Sequence, residues 1–135
     1  MQKYFNRFRG RRIKRLVNKL NKLCEKLNED YLINCGGCCF IASVIAKKLV
    51  ENHIKYEVGI DGVFNENALT GVYIRHVVVK VNDCIINDVD NDYVYEWYSL
   101  SPEQICQLYK NEKFKWNTRY DTYYNDLIEK TINEL

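Results

Sequence analysis

Residues 34–49 read NCGGCCFIASVIAKKL, in which a glycine pair delivers Cys38 and Cys39 to the start of an amphipathic helical pattern. The first N–H groups of a helix have no intrahelical partner and the macrodipole is positive there, so a thiol at that point is stabilised as the thiolate and its pKa falls. That is the chemistry of a nucleophile. Farther along, RHVVVKVNDCIINDVD carries His76 on a strand-like run, with Asn87 and Asp88 eleven and twelve residues beyond it. A thiolate needs a neighbouring imidazole to exchange its proton, and the imidazole needs an acceptor to fix its tautomer. Cysteine, then histidine, then a polar orienter supplies the three roles in that order.

These residues must be held by a few elements. Ile13, Leu16, Val17, Leu20, Leu23, Cys24 and Leu27 recur at three- and four-residue spacing, which predicts a helix over about residues 11–28, with Gly10 separating it from a fraying MQKYFNRFR. A second helix is expected from Cys38 to about Asn52, favoured at its end by Lys47 and Lys48. KYEVGID alternates as a strand does, Tyr73 to Val81 is rich in β-branched residues, and the segment DGVFNENALTG between them reads as a polar loop. Ser101-Pro102-Glu103-Gln104 has the pattern of a helix start, with an N-cap, a proline at the first helical position and a glutamine at N3, and that helix is expected to end before Phe114. The tail from Thr118 to Leu135 reads as a last helix. Helices first, an antiparallel sheet next and helices last make an α+β arrangement in one domain spanning 1–135.

Asn82-Asp83 has the composition of a two-residue hairpin turn, because both types tolerate positive φ, with Cys84 to Val89 returning. In that register Val81 opposes Cys84, Val78 opposes Asn87, and His76 shares a face with Asn87 while Asp88 points away. A one-residue bulge reverses the choice in favour of Asp88.

The chain has 135 residues, of which 47% are hydrophobic and only one is proline, so a packed core is expected and a disordered or low-complexity chain is excluded. No run approaches the roughly 20 apolar residues of a membrane span, and the basic start has no apolar h-region or small-residue cleavage site, so the expected location is the cytoplasm. The six irregularly spaced cysteines are then expected to be free thiols. Net charge is +2, yet residues 1–28 hold ten Lys/Arg against Glu25 alone, +9 locally, leaving −7 for the remainder. Such asymmetry points to an acidic partner for the basic helix or to docking against the acidic body. A solvated face is the commoner role for such a helix than a membrane or nucleic-acid surface, so nucleic acid is not the expected partner.

Cys35-Gly36-Gly37-Cys38-Cys39 resembles the C-G-[SA]-C-[WY] signature of papain-like cysteine peptidases, with Cys38 in the nucleophile position. With the histidine hairpin added, residues 34–90 are similar to the small papain-like/transglutaminase-like superfamily members of bacteria and phages. This resemblance implies a papain-like fold with N-terminal helices packed on a small antiparallel sheet, and a catalytic set of Cys38, His76 and Asn87 or Asp88. The chain departs from the pattern in two places. Leu32 stands where such enzymes carry a glutamine that donates to the oxyanion, and Cys39 replaces the aromatic residue after the nucleophile. Asn34 is the substitute donor on offer, with the backbone N–H of Cys38 or Cys39 as the other.

The activity implied is thiol-dependent acyl chemistry on a peptide or amide, either hydrolysis, as by a cysteine peptidase or amidase, or transfer to an amine, as by a transglutaminase. It requires no metal or organic cofactor. In a different class, the same scaffold without turnover would be a binding or regulatory module that docks an acidic partner through the basic helix. Zinc is a third reading, because Cys35 and Cys38 have C-x-x-C spacing and Cys84, Cys106, His53 and His76 offer further ligands, although no second close-spaced pair exists. A dithiol redox site at Cys35 and Cys38 would need the βαβ surroundings of a thioredoxin fold, which the pattern lacks.

Overall fold

A computed structural model describes the main chain of residues 2–31, 37–112 and 121–135, and the side chains of 9–30, 37–112 and 125–135. The described residues form four helices and one four-stranded antiparallel sheet, an α+β architecture. Helix α1 runs Gln2–Tyr31, α2 Cys38–Glu51, α3 Pro102–Glu112 and α4 Asp121–Asn133. The strands are β1 (Glu57–Asn65), β2 (Thr70–Val81), β3 (Cys84–Ile86) and β4 (Glu96–Tyr98), in the spatial order β3-β2-β1-β4.

Helix α1 is longer than its apolar stripe predicts. Gly10 does not interrupt it. A glycine inside a helix costs about 1 kcal/mol relative to alanine, and the Arg, Lys and Leu residues on both sides are good helix formers. The buried stripe is Val17, Leu20, Cys24 and Leu27. Helix α2 is enclosed on nearly every side, with Cys38, Cys39, Ile41, Ala42, Val44, Ile45, Ala46 and Leu49 all buried. Its one buried hydroxyl, Ser43 Oγ, is satisfied by donating to the Phe40 carbonyl at 2.6 Å.

Alternation along the strands divides the sheet into two faces. Val58, Ile60, Val77, Val79, Val81 and Ile86 join the helices in the apolar core. On the other face, Trp97 of β4 lies across Gly59 of β1 and beside Val78 of β2, and Lys80 Nζ sits 3.9 Å from the Trp97 ring centroid.

The hairpin register is the one the turn composition predicts: Val81 opposes Cys84, Lys80 opposes Ile85 and Val79 opposes Ile86, with Asn82 at φ +54°. The predicted polar loop DGVFNENALTG is instead mostly strand, since β1 continues to Asn65 and turns back through residues 66–69. Its alternation was hidden by a bulge. The register shifts between Asp61 and Val63, where Gly62 takes φ +144° and brings its Cα so close to Ile74 that a Cβ would lie 2.7 Å from the Ile74 Cα. The short strand β4 has no periodic pattern of its own to announce it, being three residues long. The α3 start forms as a capping box, with Ser101 N–H donating to Gln104 Oε1 at 2.8 Å and Gln104 N–H to Ser101 Oγ at 3.1 Å.

Gly59 is required for close approach. A Cβ there would meet the Trp97 ring at 2.6 Å and a Val78 methyl at 2.9 Å. Gly59→Ala is therefore expected to lower stability by about 1–3 kcal/mol through forced displacement of Trp97, read as a lower midpoint in urea together with an altered tryptophan emission spectrum.

Candidate functional site

Cys38 is the first residue of α2, and its N-cap, Gly37, contributes no side-chain hydrogen bond. The first intrahelical bond of this turn is Ile41 N–H to the Gly37 carbonyl at 3.0 Å. The backbone N–H groups of Cys38 and Cys39 are thus available to the thiol, as the first-turn groups of an uncapped helix are.

A third N–H comes from the sheet. In a two-residue hairpin, paired residues alternate between hydrogen-bonded and open positions, so Val81, Val79 and Val77 direct their N–H and C=O groups toward β3. Strand β3 stops at Ile86, opposite Val79. The Val77 N–H therefore has no strand partner on that side, and it is one of the backbone N–H groups that act to lower the Cys38 pKa.

Cys38 nevertheless holds its proton. Burial raises its pKa above the ordinary thiol value and outweighs the lowering by the Val77, Cys39 and Cys38 N–H groups. The sequence pattern predicts the opposite shift, because it shows the helix terminus and not the burial: Cys38 is only 4% exposed.

His76 lies on β2 beside Val77 and is 1% exposed. Its Nε2 is 2.7 Å from the Asn87 carbonyl oxygen. A carbonyl only accepts, so Nε2 carries the hydrogen and the neutral ring presents a bare lone pair at Nδ1. That atom is buried and has no hydrogen-bond partner among the described residues. Burial lowers the His76 pKa, against smaller raising effects from the Asn87 carbonyl, Asp88 and Asp61. The resting pair is a neutral thiol and a neutral imidazole.

Asn87 thus meets His76 through its main chain. The predicted side-chain contact assumed that the returning strand continues to Val89, whereas β3 ends at Ile86 and Asn87 takes φ +69°, which turns its carbonyl to the ring. Asn21 of α1 holds it in place by accepting the Asn87 N–H at 3.0 Å. Asp88 is exposed and accepts from the Tyr95 hydroxyl at 2.8 Å, so it acts on His76 only through its charge. Asn34 and Cys35 lie outside the described residues. The other cysteines of the zinc reading, Cys84 and Cys106, are free thiols, and no group of three or more His, Cys, Asp or Glu side chains among the described residues could hold a metal ion.

Three residues around His76 carried no motif signal. Tyr93 stacks on the imidazole, with centroids 4.9 Å apart and planes 22° from parallel. Asp61, directly opposite His76 in the β1–β2 register, is buried and accepts two hydrogen bonds from Arg75 at 3.0 and 2.8 Å. Those bonds hold its carboxyl below the usual carboxylate range. Asp61 also accepts the Val94 N–H at 2.7 Å, and Arg75 lies 5.2 Å from the Tyr93 centroid. The pair thereby anchors the segment that lays Tyr93 over His76. An aspartate inside the otherwise apolar VGID run was the one available hint.

No protein-family model matches this chain, nor does any curated protein or solved structure.

Burial makes the neutral form of His76 the favoured one in its pocket. Because its folded pKa lies below the ordinary histidine value of 6.5, the unfolded chain binds the proton more readily. Stability is complete above that value and is lost as the pH falls toward the folded pKa. The melting temperature is expected to drop as the pH falls below 6.5, and His76→Gln, which keeps an N–H donor and cannot titrate, is expected to flatten that dependence.

Proposed function

We propose that this chain performs thiol-dependent acyl chemistry on a peptide or amide, as a small papain-like or transglutaminase-like protein, with Cys38 as nucleophile and His76 as general base. The observation that carries the reading is the buried His76 Nδ1, which has no hydrogen-bond partner among the described residues, on the strand position next to Val77, whose N–H acts to lower the Cys38 pKa. A buried acceptor without a partner costs about 1–3 kcal/mol, and such a group is retained where chemistry uses it.

In the first step the Cys38 sulfur attacks the acyl carbon while its proton passes to His76 Nδ1. The imidazolium so formed keeps its Nε2–H on the Asn87 carbonyl, and Asp61 and Asp88 supply opposite charge nearby. The tetrahedral oxyanion takes the N–H groups at the start of α2, with Asn34 as the proposed side-chain donor. Collapse expels the leaving amine, which receives the proton from His76 and leaves a thioester on Cys38. Water, or a second amine, then attacks that thioester with His76 again taking the proton, and the thiol is restored. The neutral resting pair makes His76 a base whose proton is taken up during attack, not one that holds a preformed thiolate.

p-Nitrophenyl acetate supplies an activated acyl group without requiring the natural substrate. Mass spectrometry of the treated chain is expected to find acetyl on Cys38 in preference to the equally enclosed Cys24 and Cys39, with the exposed Cys84 as the reference thiol. His76→Ala is expected to slow acetylation of Cys38 by about two orders of magnitude, the low end of general-base contributions, and to leave Cys84 unchanged. Acetyl confined to Cys84, or a Cys38 rate indifferent to His76→Ala, would sink the reading.

A further inference from the structure

A second concave site lies at the opposite end of α2 from Cys38, about 20 Å along the helix axis by its length. It is a cleft of about 730 Å³ between α1 and the α2 C-terminus, lined by Arg9, Arg12, Arg15, Lys19 and Lys48 against the single acid Glu51. None of these cations forms an ion pair among the described residues, where the pairs are Arg75–Asp61 and Lys80–Glu57. Two of them are held in position by neutral groups. Arg9 donates to the His53 carbonyl at 2.7 Å and Lys48 to the Asn133 carbonyl at 3.2 Å, so their charges are oriented and left uncompensated. Ile13, Leu16 and Ile54 also line the cleft, and apolar walls strengthen the field between the cations.

We propose that this cleft binds a compact anion bearing two or more phosphate groups. Charge density decides the class. Five cationic side chains against one acidic side chain leave a four-charge side-chain excess within a volume of small-ligand size, with Leu135 also at the wall. Carboxylates bring one charge each, so an acidic peptide would need four side chains converging in that space. Each phosphate brings close to two charges and three acceptor oxygens, and the three guanidinium forks suit bidentate contact with them. The acidic partner implied by the charge asymmetry of the chain is, on this geometry, a phosphorylated ligand enclosed by α1, not an acidic protein laid along it. The inference does not depend on acyl chemistry at Cys38.

The probe is sodium tripolyphosphate, titrated calorimetrically into the full chain beside orthophosphate at equal ionic strength. Tripolyphosphate is expected to bind at least tenfold more tightly than orthophosphate. The combined Arg12→Gln, Arg15→Gln, Lys19→Gln variant is expected to weaken it about tenfold or more, whereas Lys22→Gln with Lys26→Gln, exposed cations of α1 outside the cleft, leaves it within about twofold. Should the triple variant fail to fold by circular dichroism, Arg15→Gln alone is expected to give a smaller loss of the same sign. Vesicles containing a bisphosphorylated inositol lipid, compared with phosphatidylserine vesicles of equal charge, separate the two sources: sedimentation abolished by the cleft variant assigns the phosphates to a headgroup, and tripolyphosphate binding without sedimentation assigns them to a soluble ligand. Equal affinity for tripolyphosphate and orthophosphate, equal loss in the cleft and control variants, or duplex DNA binding that tripolyphosphate does not displace would each overturn the proposal.

Discussion

His76 is buried with two ring nitrogens and, among the described residues, one hydrogen-bond partner, and much of the surrounding structure follows from how that bond is made. The Asn87 carbonyl can only accept, so it decides the tautomer, and the tautomer decides that the unsatisfied atom is an acceptor and not a donor. The carbonyl reaches the ring because β3 ends early and the chain turns through a positive φ at Asn87. It stays there because Asn21, on a different helix, takes the Asn87 N–H. A side chain of α1 thus supports the main-chain atom that orients an imidazole on β2, and Tyr93, tied down by Asp61 and Arg75, closes the ring from the other side.

The same early end of β3 has a second effect. A ladder that stops two residues short releases the Val77 N–H, and the released group acts to lower the Cys38 pKa. The link between the Cys38 sulfur and the strand that carries His76 runs through Val77, at an interruption of regular structure rather than through a dedicated loop. The energetic balance there is uneven. Three N–H groups favour the thiolate, yet removal from water costs the charged form more, and the thiol remains neutral. Under the acyl-transfer proposal this balance separates two functions of the site: the N–H groups serve the charge that develops during reaction, while burial keeps the resting thiol protonated.

Helix α2 links the two ends of the molecule. Its N-terminus carries Cys38 in an enclosed setting, and its C-terminus opens on a cleft lined by cations that form no ion pair among the described residues. Between them the helix is buried on almost all sides, so both ends are held on one rigid element. The long basic helix α1 contributes to both: Asn21 supports the Asn87 turn, and its earlier turns line the cleft.

Local chemistry was legible in the residues themselves. The apolar stripe from Ile13 to Leu27, the capping box at Ser101 and Gln104, the start of α2 at Cys38 and the register from Val79 to Cys84 are each set by neighbours close in the chain, through helical spacing, side-chain to backbone bonds and turn geometry. The grouping of Cys38, His76 and Asn87 rested on their types and order along the chain. What could not be read is whatever depends on partners distant in sequence. The bulge at Gly62 broke the alternation that would have carried β1 on to Asn65, and Trp97 finds its place only across Gly59. The direction of the Cys38 shift turned on burial beneath other elements, and the contact of Asn87 with His76 turned on where β3 stops. Residue types and spacing determined which groups could do chemistry. Tertiary packing alone decided their protonation, orientation and enclosure, because desolvation and hydrogen-bond partnership are properties of the assembled interior and not of any one segment.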